Sequence, residues 1–164
     1  MHIIYGLRND YEGDVRLDNL SVRQIRRAQW ADWRQRKLAI VFQDLRLFSD
    51  LTAWENIQLK AILTRHSQKE QIMEMAEHLG IANLMSRKAG LLSYGEKQRV
   101  AIIRALVQPF ECLLLDEPFS HLDEANIRKG CELIEQKRQE NQASLIMTSL
   151  GYPYYIDFDH RFIL

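Results

Sequence analysis

Cysteine is scarce in this chain, with two residues in 164. Cys112 precedes Leu113-Leu114-Leu115 and Cys131 lies among helix formers, with no C-x-x-C or Cys/His spacing. That excludes a disulfide scaffold and reads as a reduced cytosolic pair. Long hydrophobic runs are also missing. The longest, Leu38-Ala39-Ile40-Val41-Phe42, is about a quarter of the roughly 20 residues that a membrane span needs. The first residues, Met1 to Gly6, do not form a signal peptide. An excess of charge of one sign is absent too, with 22 Lys and Arg against 22 Asp and Glu. Binding to nucleic acid through bulk charge is thereby disfavoured. What is present is 46% hydrophobic and 27% charged residues, enough for one cored domain or one domain with an inserted subdomain. No internal repeat or low-complexity segment interrupts it.

Along the chain, Ile3, Ile4 and Leu7 read as the end of a short helix stopped by Gly6 and Asn9-Asp10, and Asp14 to Leu17 alternates like a strand. The segment 22–37 is basic, with Trp30 and Trp33 interleaved among arginines. Such a stretch suits nucleic acid, but a neutral chain favours a solvated amphipathic helix that buries its tryptophans. Leu38 to Phe42 reads as a buried strand. Helical periodicity covers 53–63 and 68–79, the second closing at Gly80, and a further helix is predicted from Tyr94 to Val107. Leu113-Leu114-Leu115 is the next buried strand. Asp123 to Gln139 reads as a helix with acids early and bases late. Two further short apolar runs follow, Leu145-Ile146-Met147 and Phe162-Ile163-Leu164. The alternation implies an α/β fold with a mostly parallel sheet. Residues 44–108 contain no predicted strand, so they are expected to form a helical subdomain between core segments 1–43 and 109–164.

Three motifs carry candidate chemistry. Cys112 to Glu117 is a buried strand ending in two carboxylates, Asp116 and Glu117, at the sheet edge where α/β ligands bind. One acid holding Mg²⁺ while the other activates water is one reading; a solvated surface turn ended by Pro118 is the other. Ser93 and Glu96 in Leu92-Ser93-Tyr94-Gly95-Glu96 make a capping box. The same helix start, with a serine hydroxyl and a glycine backbone, is also an anion site. Phe42-Gln43-Asp44 places a polar side chain directly after a buried strand.

Taken in order, these segments resemble the nucleotide-binding subunit of ABC-type ATPases, the engines of ABC transporters. Ile3 to Leu7 followed by Gly13-Asp14-Val15 is similar to the stretch just after that family's P-loop. Val41-Phe42-Gln43 resembles the Q-loop, Leu47 to Ile57 the segment following it, and Leu92 to Glu96 the signature motif with its helix through Leu106. Leu113 to Glu117 resembles Walker B, and Ser120-His121-Leu122-Asp123 the D-loop. The resemblance implies a P-loop NTPase (RecA-like) core with an inserted helical subdomain, ATP and Mg²⁺ as cofactors, and a second ABC subunit as head-to-tail partner. It also implies a transmembrane permease contacted through the Gln43 loop and helical subdomain. The subunit is then cytoplasmic and peripheral on the inner membrane face, and no nucleic acid is expected. Residue by residue, it makes Asp116 the Mg²⁺ ligand through water, Glu117 the general base, and Gln43 a contact to Mg²⁺ and water. Ser93 and Gly95 touch the partner's γ-phosphate, and Asp123 bridges subunits. The compact importer or lipoprotein-exporter type is the most similar.

The sequence also departs from the family. The P-loop, G-x-x-x-x-G-K-S/T, does not occur in these 164 residues, and Gly90 and Gly95 share its glycine spacing but are followed by Glu96. The resemblance therefore reads the chain as lacking its N-terminal strands, the P-loop and the adenine-stacking aromatic, and as inactive toward ATP alone. Tyr94 replaces the first of the paired signature glycines. The family's switch histidine is absent after Thr148, and Ser149, or Leu150 if the loop is longer, takes its place. Two alternatives follow: a non-catalytic subunit that offers Ser93 to a complete partner, and a soluble ABC protein not tied to transport.

Overall fold

The computed structural model describes residues 1–150 and 154–163. The chain opens with a helical turn closed by paired bonds, Leu7 N–H to His2 C=O at 2.8 Å and Gly6 N–H to Ile3 C=O at 3.0 Å. Gly6 sits at φ +70°, the left-handed residue that such a helix end requires. A hairpin follows, β1 (Arg16–Leu17) and β2 (Leu20–Ser21), pairing Arg16 with Ser21 and Leu17 with Leu20. Its two-residue turn, Asp18 and Asn19, has φ of 49° and 63°, as a tight hairpin demands. The sequence reading found the first strand but not the second, because no Asn-Gly or Asp-Gly pair marks the turn. Helix α1 (Arg27–Arg36) buries Trp30 and Trp33, their rings 6.0 Å apart and edge-on. Burying both leaves neither indole free to stack on a base.

Strand β3 (Leu38–Val41) is buried at every position. After it, helices α2 (Ala53–Thr64), α3 (Lys69–His78) and α4 (Tyr94–Leu106) fill the stretch before the next strand. Thr52 and Glu55 cap α2 reciprocally, and the buried Asn56 side chain accepts from Phe48 N–H and donates to the Phe48 and Thr52 carbonyls. Strand β4 (Cys112–Asp116), helix α5 (Glu124–Glu140) and strand β5 (Ser144–Thr148) complete the order. The three main strands form a parallel sheet in the order β3-β4-β5. Central β4 is buried on both faces, which is why it reads as an unbroken apolar run rather than an alternating one.

Two buried clusters flank this sheet. One runs without a break from Ile57, Ile72 and Leu79 through Val100 and Ile103 to Leu113, Leu115 and Ile134. The other gathers Tyr5, Trp30, Trp33, Leu38, Ile40, Phe42 and Leu114 on the opposite face. The last apolar run stays outside the sheet: Phe162 and Ile163 are 85% and 103% exposed, while Leu164 lies outside the described residues.

Gly6 makes a sharp test of the α1 face. A Cβ there would stand 2.4 Å from the Trp30 indole. Gly6→Ala combines left-handed strain with overpacking and should destabilise by about 2–4 kcal/mol. Denaturant unfolding measures this, and a change below about 1 kcal/mol would mean that Trp30 is not fixed against the opening turn.

Candidate active site

The parallel register sets Val41 opposite Leu115 and Asp116 opposite Thr148. Gln43, Asp116, Glu117 and Ser149 therefore leave the sheet at one edge, its carboxyl end. Asp116 Oδ1 accepts from the Thr148 hydroxyl at 2.7 Å, which fixes the carboxylate at the strand end. Glu117 donates its N–H to the Thr148 carbonyl at 3.2 Å and stands at φ +49°. For a non-glycine residue that conformation costs of the order of 1–3 kcal/mol and needs surrounding bonds to hold it. The Thr148 carbonyl supplies one, and Gln98 Nε2, donating to the Glu117 carbonyl at 3.1 Å, supplies the other. Burial pushes the Glu117 carboxyl above its ordinary pKa, and the neighbouring Asp116 charge pushes it further. The two acids thus differ by environment, the usual preparation for separate roles.

Gln43 lies just past β3 with an exposed side chain, and its carbonyl accepts from the Tyr94 hydroxyl at 2.8 Å. The following Leu45 and Arg46 are both left-handed, at φ 57° and 48°. Their carbonyls are held by the Arg104 guanidinium, each at 2.6 Å. Ser93 caps α4: its Oγ accepts from Glu96 N–H at 3.3 Å while its own N–H donates to Glu96 Oε2 at 2.7 Å. That N–H holds the Glu96 carboxyl below the usual range. Gly95 packs closely, since a Cβ there would stand 3.0 Å from the His121 carbonyl and push it back by a few tenths of an ångström. Asp123 caps α5 through Asn126 N–H at 2.9 Å, and the Asn126 bonds keep its carboxyl ionised to lower pH. Ser149 and Leu150 both follow β5 exposed.

Sequence reasoning passed over several members of this site. Gln98, 1% exposed, bonds both the Glu117 carbonyl and His121 N–H. Its signal, a polar residue among the apolar positions of α4, does not distinguish a satisfied core amide from any other. Thr148 carries no signal of its own in the sequence, since its bond to Asp116 depends on strand order. His121, named only within the D-loop resemblance, packs its ring against Tyr94 with centroids 4.1 Å apart.

Asp116, Glu117 and the Gln43 amide are hard oxygen donors of the kind Mg²⁺ takes. No group of three or more His, Cys, Asp or Glu residues able to hold a metal occurs among the described residues. The set therefore fits Mg²⁺ held partly by water and phosphate, not a closed protein cage. For a triphosphate the fit is partial. The N-terminus of α4 and the Gly95 backbone offer an anion-binding end, but a lysine-bearing glycine loop is not in the sequence.

Residues 1–120 match the family model for ABC transporters. The chain is 35% identical over 152 residues to the lipoprotein-releasing system ATP-binding protein LolD of Legionella pneumophila (strain Lens), covering 90% of this chain and 67% of that protein. It is 40% identical over 118 residues to the thiamine import ATP-binding protein ThiQ of Shigella flexneri serotype 5b, covering 70% of this chain and 51% of that protein. Among solved structures, the dimeric bacterial ABC transporter cassette MJ0796 superposes with a TM-score of 0.77 at 28% identity, over 90% of this chain and 67% of that one. The fold is that of an ABC ATPase cassette, with the parallel β3-β4-β5 sheet carrying the acidic edge. The chain belongs to the ABC transporter family, and it spans about half to two thirds of the length of these relatives.

The raised Glu117 pKa has a thermodynamic consequence. A carboxyl that holds its proton more tightly when folded costs nothing below about pH 4.5 and destabilises as pH rises through its raised value. Glu117→Gln keeps the shape and removes the charge. Its melting temperature should exceed that of the parent chain at pH 7 and match it below pH 4.5. Equal melting at both values would place Glu117 in water, unopposed by burial or Asp116.

Proposed function

We propose that this chain is the catalytic and coupling part of an ATP-hydrolysing ABC transporter subunit, acting as a head-to-tail dimer. The observation that carries the reading is the delivery of Gln43, Asp116 and Glu117 to one sheet edge, with Glu117 biased toward holding a proton. In this reading Asp116, oriented by Thr148, holds Mg²⁺ through water, and Glu117 takes the proton of the attacking water. Gln43 contacts the same water and cation. Magnesium and the bound nucleotide supply charge neutralisation and the leaving group, and the protein supplies position. Ser93 and Gly95 at the α4 N-terminus meet the γ-phosphate held by the second subunit, and Asp123 bridges the two. Two such sites need a two-fold axis. Ser149, or Leu150 if the loop is longer, takes the place of the family's switch histidine, and neither fills that role in the same way.

A membrane partner is the second half of the proposal. Phe48, Leu59, Ile62 and Leu63 are exposed on and beside α2, next to the Gln43 loop. Phe48, Leu59 and Leu63 rim a cavity of about 230 Å³ that Lys60 and Arg104 also line. Burial lowers the Lys60 pKa to about 8, with Arg104 and Arg34 adding to it. Unpartnered apolar surface of this kind, rimmed by charge, suits a protein contact. The relatives named above serve lipoprotein release and thiamine import; which cargo applies here is set by that membrane partner. No helix among the described residues is long and apolar enough to cross a membrane, and the subunit is peripheral and cytoplasmic in this proposal.

The 164-residue chain by itself should not bind Mg-ATP in the micromolar range. A titration of labelled ATP at millimolar magnesium measures this, and micromolar binding would show that the phosphate site lies somewhere other than a P-loop. In a polypeptide that joins these residues to a P-loop, Glu117→Gln should retain ATP binding and lose about 10²- to 10⁴-fold in turnover. Turnover at the parent rate would remove Glu117 from the chemistry.

A further inference from the structure

Tyr94 stands where the family carries a glycine, and its side chain is engaged at both ends. The hydroxyl donates to the Gln43 carbonyl at 2.8 Å. The ring lies against the His121 imidazole, centroids 4.1 Å apart and tilted by 46°. A residue that is 41% exposed has water as a ready alternative for its hydroxyl, so its contact with a loop carbonyl is a matter of geometry rather than of burial. His121 continues the connection. Its N–H donates to Gln98 Oε1 at 3.3 Å, and Gln98 Nε2 donates to the Glu117 carbonyl at 3.1 Å. Ser120 Oγ pairs with His121 Nδ1 at 2.9 Å and keeps the ring oriented. The absence of a side chain at Gly95, where a Cβ would stand 3.0 Å from the His121 carbonyl, lets α4 come near enough for all of this. The result is an unbroken path of contacts from the Gln43 backbone to the Glu117 backbone, and every link but the ends belongs to the first turns of α4 or to His121.

We propose that Tyr94 is a positioning residue that ties the loop after β3 to the loop after β4, so that Gln43 and Glu117 move as one unit. The proposal rests on the ATPase reading for its consequence, which is that a signal received at Gln43 reaches the hydrolytic carboxylate through Tyr94 and His121. A glycine at 94 supplies neither the hydroxyl nor the ring, leaving the Gln43 carbonyl to water. The physical tie itself needs no nucleotide and exists in the chain as it stands.

Residue-resolved amide exchange on the nucleotide-free chain tests it. The Leu45 and Arg46 amides, bonded to the Phe42 and Asp44 carbonyls, report on the first loop. Tyr94→Phe keeps the ring and removes the donor, so these two amides should exchange about 3- to 10-fold faster, the range for losing one ordinary hydrogen bond. The Leu113 to Leu115 amides of β4 should not change. His121→Ala should speed Leu45 and Arg46 when residue 94 is Tyr and have no effect on them in a Tyr94→Ala background. The proposal is overturned if Tyr94→Phe leaves Leu45 and Arg46 unchanged, if β4 accelerates equally, or if His121→Ala acts the same in both backgrounds. Equal acceleration in β4 means that Tyr94 serves global stability alone. Because no ATP is used, failure here leaves the ATPase reading standing, while full turnover of Glu117→Gln would overturn that reading and leave the tie intact.

Discussion

Gln98 is enclosed within α4 and has its oxygen and nitrogen committed to the backbone on both sides of Phe119, at His121 and Glu117. The rest of the site depends on that one buried amide. A polar group so placed costs more when left unsatisfied than it contributes when paired, which favours one position of α4 against the β4 loop. Glu117 can then keep its left-handed backbone, because the carbonyl that this conformation presents meets a donor rather than apolar surface. The strain at Glu117 and the enclosure of Gln98 are two sides of one constraint.

Helix α4 extends the same device along its length. Tyr94 at its start and Arg104 near its end hold the Gln43, Leu45 and Arg46 carbonyls, while Arg99 donates to Leu79 C=O and Asn126 Oδ1. Loop backbone that no sheet or helix can pair is paired by side chains from this one helix. That is how two left-handed residues, Leu45 and Arg46, persist side by side without glycine. Arg104 is fixed deeply enough that burial lowers its pKa to about 10. The arginine remains charged at neutral pH, so the clamp on the loop is not a pH switch.

The acidic edge is organised differently from the cationic side of the molecule. Asp116 and Glu117 stand adjacent, the Asp116 carboxylate bonded by the Thr148 hydroxyl and the Glu117 backbone by Thr148 and the Gln98 amide, and two neighbouring acids of this kind suit a cation. Lys60 and Arg104 line one cavity with Arg34 close by, Lys60 donating to the Arg34 carbonyl and Arg104 to the Leu45 and Arg46 carbonyls. Each cluster is stable because it keeps some access to water; neither is fully buried.

Local chemistry was legible in the sequence because it is written in adjacent residues. The capping pair Ser93 with Glu96, the apolar runs of β3 and β4, and the acids that end β4 all depend on spacings of a few positions. They determined the α/β class, the order of the elements, and the candidates Gln43, Asp116 and Glu117. The hairpin at Asp18-Asn19 was not legible, since its turn lacks the glycine that marks such turns. Nor were the bonds that make the candidates a site. Thr148 to Asp116 spans 32 positions and Tyr94 to Gln43 spans 51, and each exists only because β4 lies between β3 and β5 and α4 packs against the sheet near their ends. Strand order and helix placement come from burying whole faces at once, a collective outcome that no short window of residues contains.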